Sequence, residues 1–291
     1  DNSSRFGLPN GHASCYAAMH NFDLVGGSDI DESRCDDFAK RWDIPRDRVY
    51  SEFSEFLNKE NLDIVSISTP SPFHTEPTLA SVEAGVKAIF LEKPVASNIS
   101  DAKKILKACD DAGVALSINH TRRGDYAYRK AKQLIDQGEI GELHTMVVHF
   151  GAGLMFIGSH AFDLLNYFVG DCDVSWMTGH LDDDPGFDPG GNGYIIYENG
   201  VRAFINAQTG HALGFRVQAI GTKGEIIIGN YDLQLWKVNA GSRELVMHPF
   251  PQVYTAISPM VALIQELINS SEGGPPPLSS GSTAMPALRL I

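Results

Sequence analysis

The sequence predicts an α/β fold in its first part and an α+β fold in its second part. Up to about residue 120, short apolar strands alternate with helical segments, which indicates a parallel sheet with helices on both faces. Beyond that point, strands follow one another through hairpin-like turns, which is typical of a large, mostly antiparallel open sheet. We therefore expect two domains, at residues 1–119 and 120–291.

The first domain is predicted from apolar or β-branched runs separated by helical segments. We predict strands at residues 22–28, 62–68, 86–91 and 114–118, and helices at residues 31–42, 75–84 and 100–112. Gly85 and Gly113 stand where the last two helices need a residue with positive φ.

The second domain shows a different order of elements. We predict helices at residues 126–137, 159–168, 259–269 and 284–291, and strands at residues 143–150, 193–197, 201–207, 215–220, 225–228 and 233–238. Asn199 and Gly200 lie between two apolar runs, which is a strong signal for a hairpin.

Composition restricts the function classes. The chain has 291 residues, of which 43% are hydrophobic and 20% charged, and this excludes wholesale disorder. A net charge of −13 disfavours nucleic acid as a partner, and no apolar run approaches the roughly 18 residues of a membrane span. No secretory signal is visible, and the four cysteines match no metal-binding spacing. We expect a cytoplasmic protein without a metal or membrane partner.

Two turns at the ends of predicted parallel strands carry the first candidate site. Thr69-Pro70 and Glu92-Lys93-Pro94 are expected at the sheet edge where open α/β sheets bind ligands. Lys93 could bond a substrate hydroxyl there and lower its pKa. The alternative is a solvated loop lysine, which is the usual environment of this residue.

The second candidate site lies on the helix predicted at residues 159–168. His160, Asp163 and Tyr167 share one face of that helix, and a carboxylate beside an imidazole is a plausible acid/base unit. Ser159 could cap the helix. The alternative is a structural histidine with a helix-capping aspartate.

Together these segments resemble the Gfo/Idh/MocA oxidoreductase family. The motifs are STPxxxH, EAG and EKPxA within residues 68–96, then GSHxxDLL at residues 158–165 and GTKG at residues 221–224. The resemblance runs from about Gly11 to the end of the chain. It implies an N-terminal Rossmann-like domain that binds NAD(P), and a C-terminal domain for substrate binding and oligomerisation. It also implies hydride transfer to or from a sugar, polyol or related hydroxy compound.

The residue patterns and the resemblance together give candidate site residues in three groups. Those expected in catalysis are Lys93, His160 and Asp163. Those expected to bind the cofactor are Gly7, Gly11, Asp29, Ser68, Thr69, Pro70, His74, Glu92 and Lys93. Those expected to bind substrate are Lys93, Asn119, Arg122, His160 and Asp163. For His74, contact with the nicotinamide and a structural role at a helix start remain alternatives.

Two departures from the family pattern stand out. The first strand and the Gly-x-Gly-x-x-Gly turn are not in the sequence, so we expect that residues preceding Asp1 are missing. Gly7 and Gly11 are the remaining candidates for the glycine loop. Phe156 stands where many members carry an aspartate before the catalytic histidine, so Asp163 or a water would have to assist His160.

Cofactor choice depends on the end of the second strand of the first domain. An acidic residue there bonds the ribose hydroxyls of NAD and repels the 2′-phosphate of NADP, and Asp29 is well placed for it, ahead of Asp31. This favours NAD, while Ser28 and Arg34 could still accept NADP. Asp29 could also cap the following helix.

The resemblance leaves two other functions open. One is an NAD-dependent enzyme that cleaves a glycosidic bond or eliminates, and the other is a sugar-binding relative without catalysis. For any of these we expect a homodimer or homotetramer formed through the C-terminal sheet, because an open sheet needs its exposed face covered.

Overall fold

The chain folds into two units that combine the predicted α/β and α+β classes. The structure is a computed structural model that describes residues 4–5, 7–170, 172–182, 188–210, 214–229, 232–239, 241–249 and 257–291. The first unit comprises Asp1–Gly124 and Ile257–Met285, and the second comprises Asp125–Ala256 and Pro286–Ile291.

The helices and strands follow in chain order. Up to residue 124 they are β1 (Ser4–Arg5), β2 (Leu8–Pro9), α1 (His12–Ala17), β3 (Gly27–Ser28), α2 (Glu32–Trp42), β4 (Val49–Tyr50), α3 (Phe53–Lys59), β5 (Ile64–Ile67), α4 (Thr75–Glu83), β6 (Ala88–Leu91), α5 (Ile99–Ala112), β7 (Ala115–Ile118) and α6 (Thr121–Gly124). The rest are α7 (Tyr126–Asp136), β8 (Leu143–Phe150), α8 (Gly158–Val169), β9 (Val174–Leu181), β10 (Gly191–Tyr197), β11 (Arg202–Ala207), β12 (Arg216–Gly221), β13 (Gly224–Ile228), β14 (Leu233–Val238), β15 (Leu245–His248), α9 (Pro259–Ser271) and α10 (Gly281–Leu290). Within the described ranges, no helix combines the length and apolarity needed to cross a membrane.

The first unit is built on parallel strands. β5, β6 and β7 form one sheet in that order, and β3 pairs with β4 in a second, two-stranded parallel sheet. All four residues of β6 are 0% exposed, so this central strand is buried on both faces. Because parallel strands end at one edge, the turns after β5, β6 and β7 lie on the same side of their sheet.

Some elements of the first unit are shorter than predicted or were not predicted. The strand expected at residues 22–28 is confined to Gly27–Ser28, and β4 and α3 were not expected. A two-residue strand contains too few positions to show a period of two, so the sequence pattern does not mark it.

The segment 257–285 belongs to the first unit, whereas we expected it with residues 120–291. Helix α9 buries Leu263, Ile264 and Leu267 in one core with Phe90 of β6. A Cβ at Gly124 would stand 2.0 Å from the Pro259 carbonyl oxygen, so α6 and α9 approach too closely there for any larger residue. The periodicity of α9 predicts a buried face but not the element against which it is buried.

The second unit is an eight-stranded open sheet with helices against one face. Its order is β15-β14-β13-β12-β8-β11-β10-β9, and every pair is antiparallel except β8 with β11. Helices α7 and α8 contribute Leu134, Leu164 and Leu165 to a core that includes Met146 and Val148 of β8. Strands β9 and β15 were not predicted, because almost all their residues are exposed and show no alternating burial.

Candidate active and cofactor sites

The turn that carries Lys93 follows directly from the buried strand β6. Leu91 is 0% exposed, Val95 and Ala96 are 1% exposed, and the half-buried residues Glu92, Lys93 and Pro94 lie between these anchors. The Lys93–Pro94 peptide is cis. The turn is therefore held by the core on both sides and lies at the carboxyl edge of the sheet, as predicted from the motif.

The carboxylate of Glu92 connects three elements at this edge. Its Oε1 lies 3.0 Å from Nε2 of His12 on α1 and accepts a 2.7 Å hydrogen bond from Nδ2 of Asn119, which follows β7. Its Oε2 accepts the backbone N–H of Lys93 at 3.2 Å. Glu92 thus fixes the start of the lysine-bearing turn to its two neighbours, a role that the spacing of the motif does not reveal.

The electrostatics of Glu92 favour the ionised carboxylate. Burial raises its pKa, but the hydrogen bond and charge of His12 and the hydrogen bonds from Asn119 and the Lys93 amide outweigh burial. The pKa therefore lies below its usual value of 4.5. His12 was not among the predicted site residues, and only its position next to Gly11 could have drawn attention to it.

Two buried polar atoms of this network have no hydrogen-bond partner among the described residues. They are Nδ1 of His12 and Oδ1 of Asn119. A buried polar atom without a partner costs free energy, so it points to a bound water or ligand group. Asn119 was predicted in this region as a substrate contact, and the structure places it at the sheet edge, 3% exposed.

The turn after β5 is exposed, whereas the histidine that follows it is not. Ser68, Thr69 and Pro70 are exposed at the same sheet edge, where a cofactor could reach them. His74 is 1% exposed, and its ring nitrogens lie against the carbonyl oxygens of Thr69 and Val95. Of the two alternatives for His74, this geometry favours the structural role over direct cofactor contact.

Asp29 follows β3 at its carboxyl end. Its N–H donates to the Tyr50 carbonyl, its Oδ1 accepts the Asp31 N–H at 3.0 Å, and its Oδ2 lies 3.7 Å from Nη1 of Arg34. Asp31, not Asp29, caps α2, since its Oδ1 accepts the Ser33 N–H. Capping by Asp29 is therefore wrong, and its carboxylate faces an exposed guanidinium.

The remaining glycines do not form a dinucleotide-binding turn among the described residues. Gly7 (φ 77°) lies in the turn of the two-residue hairpin between β1 and β2. Gly11 precedes α1, and its N–H already donates to Oγ of Ser14. Contact of these two glycines with the cofactor stays a prediction.

In the second unit, His160 and Asp163 lie one turn apart on the buried helix α8. His160 is 7% exposed and Asp163 is 1% exposed, so both ionisable groups lie in a protein environment. The helix begins at Gly158, one residue before its predicted start. Ser159 consequently lies inside the helix and donates to the Phe156 carbonyl, so it does not cap.

The segment before α8 is held by hydrogen bonds to an aspartate, Asp188, that was not predicted from the sequence. Asp188 accepts the N–H groups of Met155 and Phe156 at 2.6 and 3.0 Å. A Cβ at Gly153 would stand 2.1 Å from the Asp188 carboxyl carbon, so this contact requires glycine. Asp188 lies about twenty residues beyond the end of the predicted helix, and no local pattern connects the two.

The arginines at the end of the first unit differ in environment. Arg123 is 4% exposed and donates to the Leu278 carbonyl at 3.0 Å, so it supports the segment before α10. Arg122, the predicted substrate contact, is half-buried in α6. Across the described parts of the chain, no group of three or more His, Cys, Asp or Glu residues is arranged to hold a metal ion.

Comparison with known proteins shows which protein family the first unit is similar to. Residues 6–120 match a family described as an oxidoreductase family with an NAD-binding Rossmann fold. These residues include the turns after β3, β5, β6 and β7 described above, so this part of the first unit is similar to the NAD-binding Rossmann fold of that family. This is the model of the Gfo/Idh/MocA family, and its match over residues 6–120 confirms the resemblance seen in the motifs.

Two relatives from Bacillus subtilis are similar in sequence. The NADP(+)-dependent scyllo-inositol 2-dehydrogenase IolW is 33% identical over 108 residues, 37% of this chain and 30% of the relative. The NAD(+)-dependent scyllo-inositol 2-dehydrogenase is 28% identical over 198 residues, 60% of this chain and 57% of the relative. In each case, the chain spans less than two thirds of the relative's length.

A solved structure supports the fold over most of the chain. It is the crystal structure of an oxidoreductase from Agrobacterium radiobacter in complex with NAD+, L-tartaric acid and magnesium, with a TM-score of 0.80. The match covers 95% of this chain and 89% of that one at 18% identity. The similarity confirms the predicted fold class.

The Glu92 network yields a testable expectation for stability. Glu92→Gln removes the charge and leaves one amide oxygen for two side-chain donors, so we expect a loss of about 1–3 kcal/mol in the free energy of unfolding at pH 7. Since its folded-state pKa is lowered, ionised Glu92 stabilises the protein above pH 4.5, and this contribution disappears as the pH falls through the folded-state pKa. Urea unfolding from pH 7 to pH 3 measures the difference.

The control for this measurement is Glu83→Gln, at an exposed position of α4. It should change the free energy of unfolding by less than about 0.5 kcal/mol. The network is contradicted if Glu92→Gln is as stable as this control at pH 7. It is also contradicted if the difference in the free energy of unfolding between wild type and Glu92→Gln becomes larger as the pH falls.

Proposed function

We propose that the protein is an NAD(P)-dependent dehydrogenase that transfers hydride to or from a CH–OH carbon of a cyclic polyol or sugar. The observation that carries the proposal is the rigid presentation of Lys93 at the carboxyl edge of β6. A flexible, solvated lysine needs no such support, whereas a lysine that must meet a substrate oxygen does. The inositol substrates named for the two relatives set the substrate class.

The residues at the sheet edge fit a nicotinamide dinucleotide at two places. At the end of β3, Asp29 offers a carboxylate to ribose hydroxyls. Near the turn that carries Lys93 lie the exposed turn Ser68-Thr69-Pro70 and two buried atoms without a hydrogen-bond partner among the described residues, Nδ1 of His12 and Oδ1 of Asn119. The nicotinamide, when bound, supplies the hydride acceptor or donor. The chain's own groups bind and orient the reactants.

Each catalytic residue has a proposed task. The Lys93 ammonium donates a hydrogen bond to the reacting oxygen, which orients the substrate and lowers the pKa of its hydroxyl. His160 takes up that hydroxyl proton during oxidation and returns it during reduction. Asp163 orients the imidazole, and Asn119 and Arg122 contact other hydroxyls of the substrate.

The test is turnover by single variants. We expect Lys93→Ala and His160→Ala each to lower kcat by about 10²–10⁴-fold, which is the usual contribution of a positioned proton donor or acceptor. The assay measures NADH formation with scyllo-inositol, myo-inositol and a panel of aldoses, and circular dichroism verifies that the variants are folded.

Matched controls are Lys87→Ala, an exposed lysine paired with Asp63, and His144→Ala, an exposed histidine of β8. Both should keep wild-type kcat. Unchanged turnover in both the Lys93 and His160 variants refutes the assignment. Bond cleavage without net NADH formation would instead identify the lyase or glycosidase alternative.

Asp29 determines the proposed preference for NAD. In Asp29→Asn the ribose loses a charged acceptor. Arg34 loses the carboxylate 3.7 Å from its Nη1 and keeps that of Asp31, 3.8 Å from its Nε, so its charge is less neutralised and attracts a 2′-phosphate more strongly. We expect the Kd for NAD to rise about tenfold and that for NADP to fall, as measured by isothermal calorimetry. Asp37→Asn, at an exposed position of α2, should leave both constants unchanged; an identical effect of the two substitutions would exclude the role of Asp29.

We further propose that a second copy of the chain covers the outer face of the eight-stranded sheet. The rings of Trp176, Tyr194 and Phe204 form an aromatic row across three strands there, with centroids 5.9 and 4.7 Å apart. Trp176 is 50% and Phe204 is 43% exposed, which is a large apolar surface to leave in water. A depression of about 550 Å³ on this face includes Tyr194 and Phe204 among its lining residues.

Light scattering tests this proposal at micromolar concentration. We expect a dimer or tetramer for the wild type and a smaller species for Phe204→Glu, because a buried carboxylate at the interface would lack a partner. Gln133→Glu, which adds the same charge on the exposed side of α7, should leave the assembly unchanged. A monomeric wild type overturns the proposal.

A further inference from the structure

One buried side chain joins the two turns at the carboxyl edge of the first unit's sheet. His74 lies between the 3₁₀ turn Ser71–Phe73 and helix α4, and it is 1% exposed. Its Nε2 lies 2.8 Å from the Thr69 carbonyl oxygen, in the turn after β5. Its Nδ1 lies 3.2 Å from the Val95 carbonyl oxygen, in the turn after β6.

Both of these partners can only accept hydrogen bonds. A neutral imidazole carries one N–H, so it can satisfy either Thr69 or Val95 but directs a lone pair at the other carbonyl oxygen. The imidazolium carries two N–H groups and satisfies both. The two contacts are then charge-assisted hydrogen bonds, which offset the cost of holding the charge away from water.

The contact between His74 and the Val95 carbonyl oxygen also affects the backbone around Lys93. Val95 is two residues after Lys93, whereas the Glu92 carboxylate accepts the Lys93 N–H itself. The lysine-bearing turn is thus held before Lys93 by Glu92 and after it by His74. The backbone of His74 is fixed in turn, since its carbonyl accepts the Thr78 hydroxyl at 2.6 Å.

We propose that His74 is a positioning residue, protonated on both ring nitrogens, that locks the Thr69 turn to the Lys93 turn. It acts through Lys93 and touches neither substrate nor cofactor. The inference rests on the proposed function insofar as Lys93 meets the substrate, but the protonated bridge itself is a property of the protein without ligands.

The first experiment needs no activity. In ¹⁵N-histidine-labelled protein, both ring nitrogens of His74 should give the resonances of protonated nitrogens at the pH of the enzyme assay. A downfield resonance from an unprotonated His74 nitrogen overturns the bridge. Because this readout is independent of turnover, it remains decisive even if the proposed dehydrogenase activity is not found.

The second experiment separates the two arms of the bridge. The amide nitrogen of glutamine can take the position of Nε2 and that of asparagine the position of Nδ1, so His74→Gln keeps only the Thr69 arm and His74→Asn only the Val95 arm. We expect kcat to fall about tenfold or more in both variants, with the Kd for NAD within about twofold of wild type. Hydrogen exchange of the Lys93 amide should become faster most clearly in His74→Gln, which frees Val95.

The control is His20→Gln, at an exposed position after α1. It should match the wild type in kcat, NAD affinity and Lys93 amide exchange. Folded His74 variants with wild-type kcat and wild-type Lys93 exchange overturn the positioning role. A wild type without turnover, but with slow Lys93 exchange that His74→Gln accelerates, supports the bridge and places the failure in the proposed function.

Discussion

The ionised carboxylate of Glu92 is the interaction on which the candidate site depends. It stands at the end of a strand that is buried on both faces, and it meets donors from α1, from the end of β7 and from its own turn. Burial of a carboxylate is costly unless hydrogen bonds compensate it, and here they do so, as its lowered pKa shows. The position of Lys93 is therefore a consequence of how Glu92 is satisfied.

Rigidity at this edge is obtained from polar groups rather than from packing alone. The backbone at a sheet edge leaves the hydrogen-bonded ladder, so its carbonyl and amide groups need other partners. In the first unit, side chains supply them: Glu92 accepts a backbone amide, and His74 meets two backbone carbonyls. The second unit shows the same arrangement, because the Asp188 carboxylate accepts hydrogen bonds from two backbone amides of the segment before α8.

How much could be predicted from the sequence depended on the length and burial of each element. β6 and its Glu-Lys-Pro turn were predicted, because a continuous apolar run followed by a proline is a strong local pattern. The two-residue strands β3 and β4, and the exposed strands β9 and β15, lack the periodic burial on which such predictions rest.

The site was predictable to a similar extent. Lys93, His160 and Asp163 lie in recognisable motifs, and spacing predicted a strand end for Lys93 and a shared helix face for His160 and Asp163. The burial of that face was not predicted. The residues that hold these segments in place were not predicted. His12 meets Glu92 across 80 residues, and Asp188 meets Phe156 across 32. Such contacts are determined by tertiary packing, and no local pattern in the sequence records them.

The return of the chain to its first unit has a consequence for biosynthesis. The edge of β7 is completed by Ser279 and Ser280, about 160 residues after Ser117. On the ribosome, residues 125–256 of the second unit emerge before α9 and this last segment become available. The first unit therefore keeps part of its core exposed until α9 and the segment around Ser280 have left the ribosome.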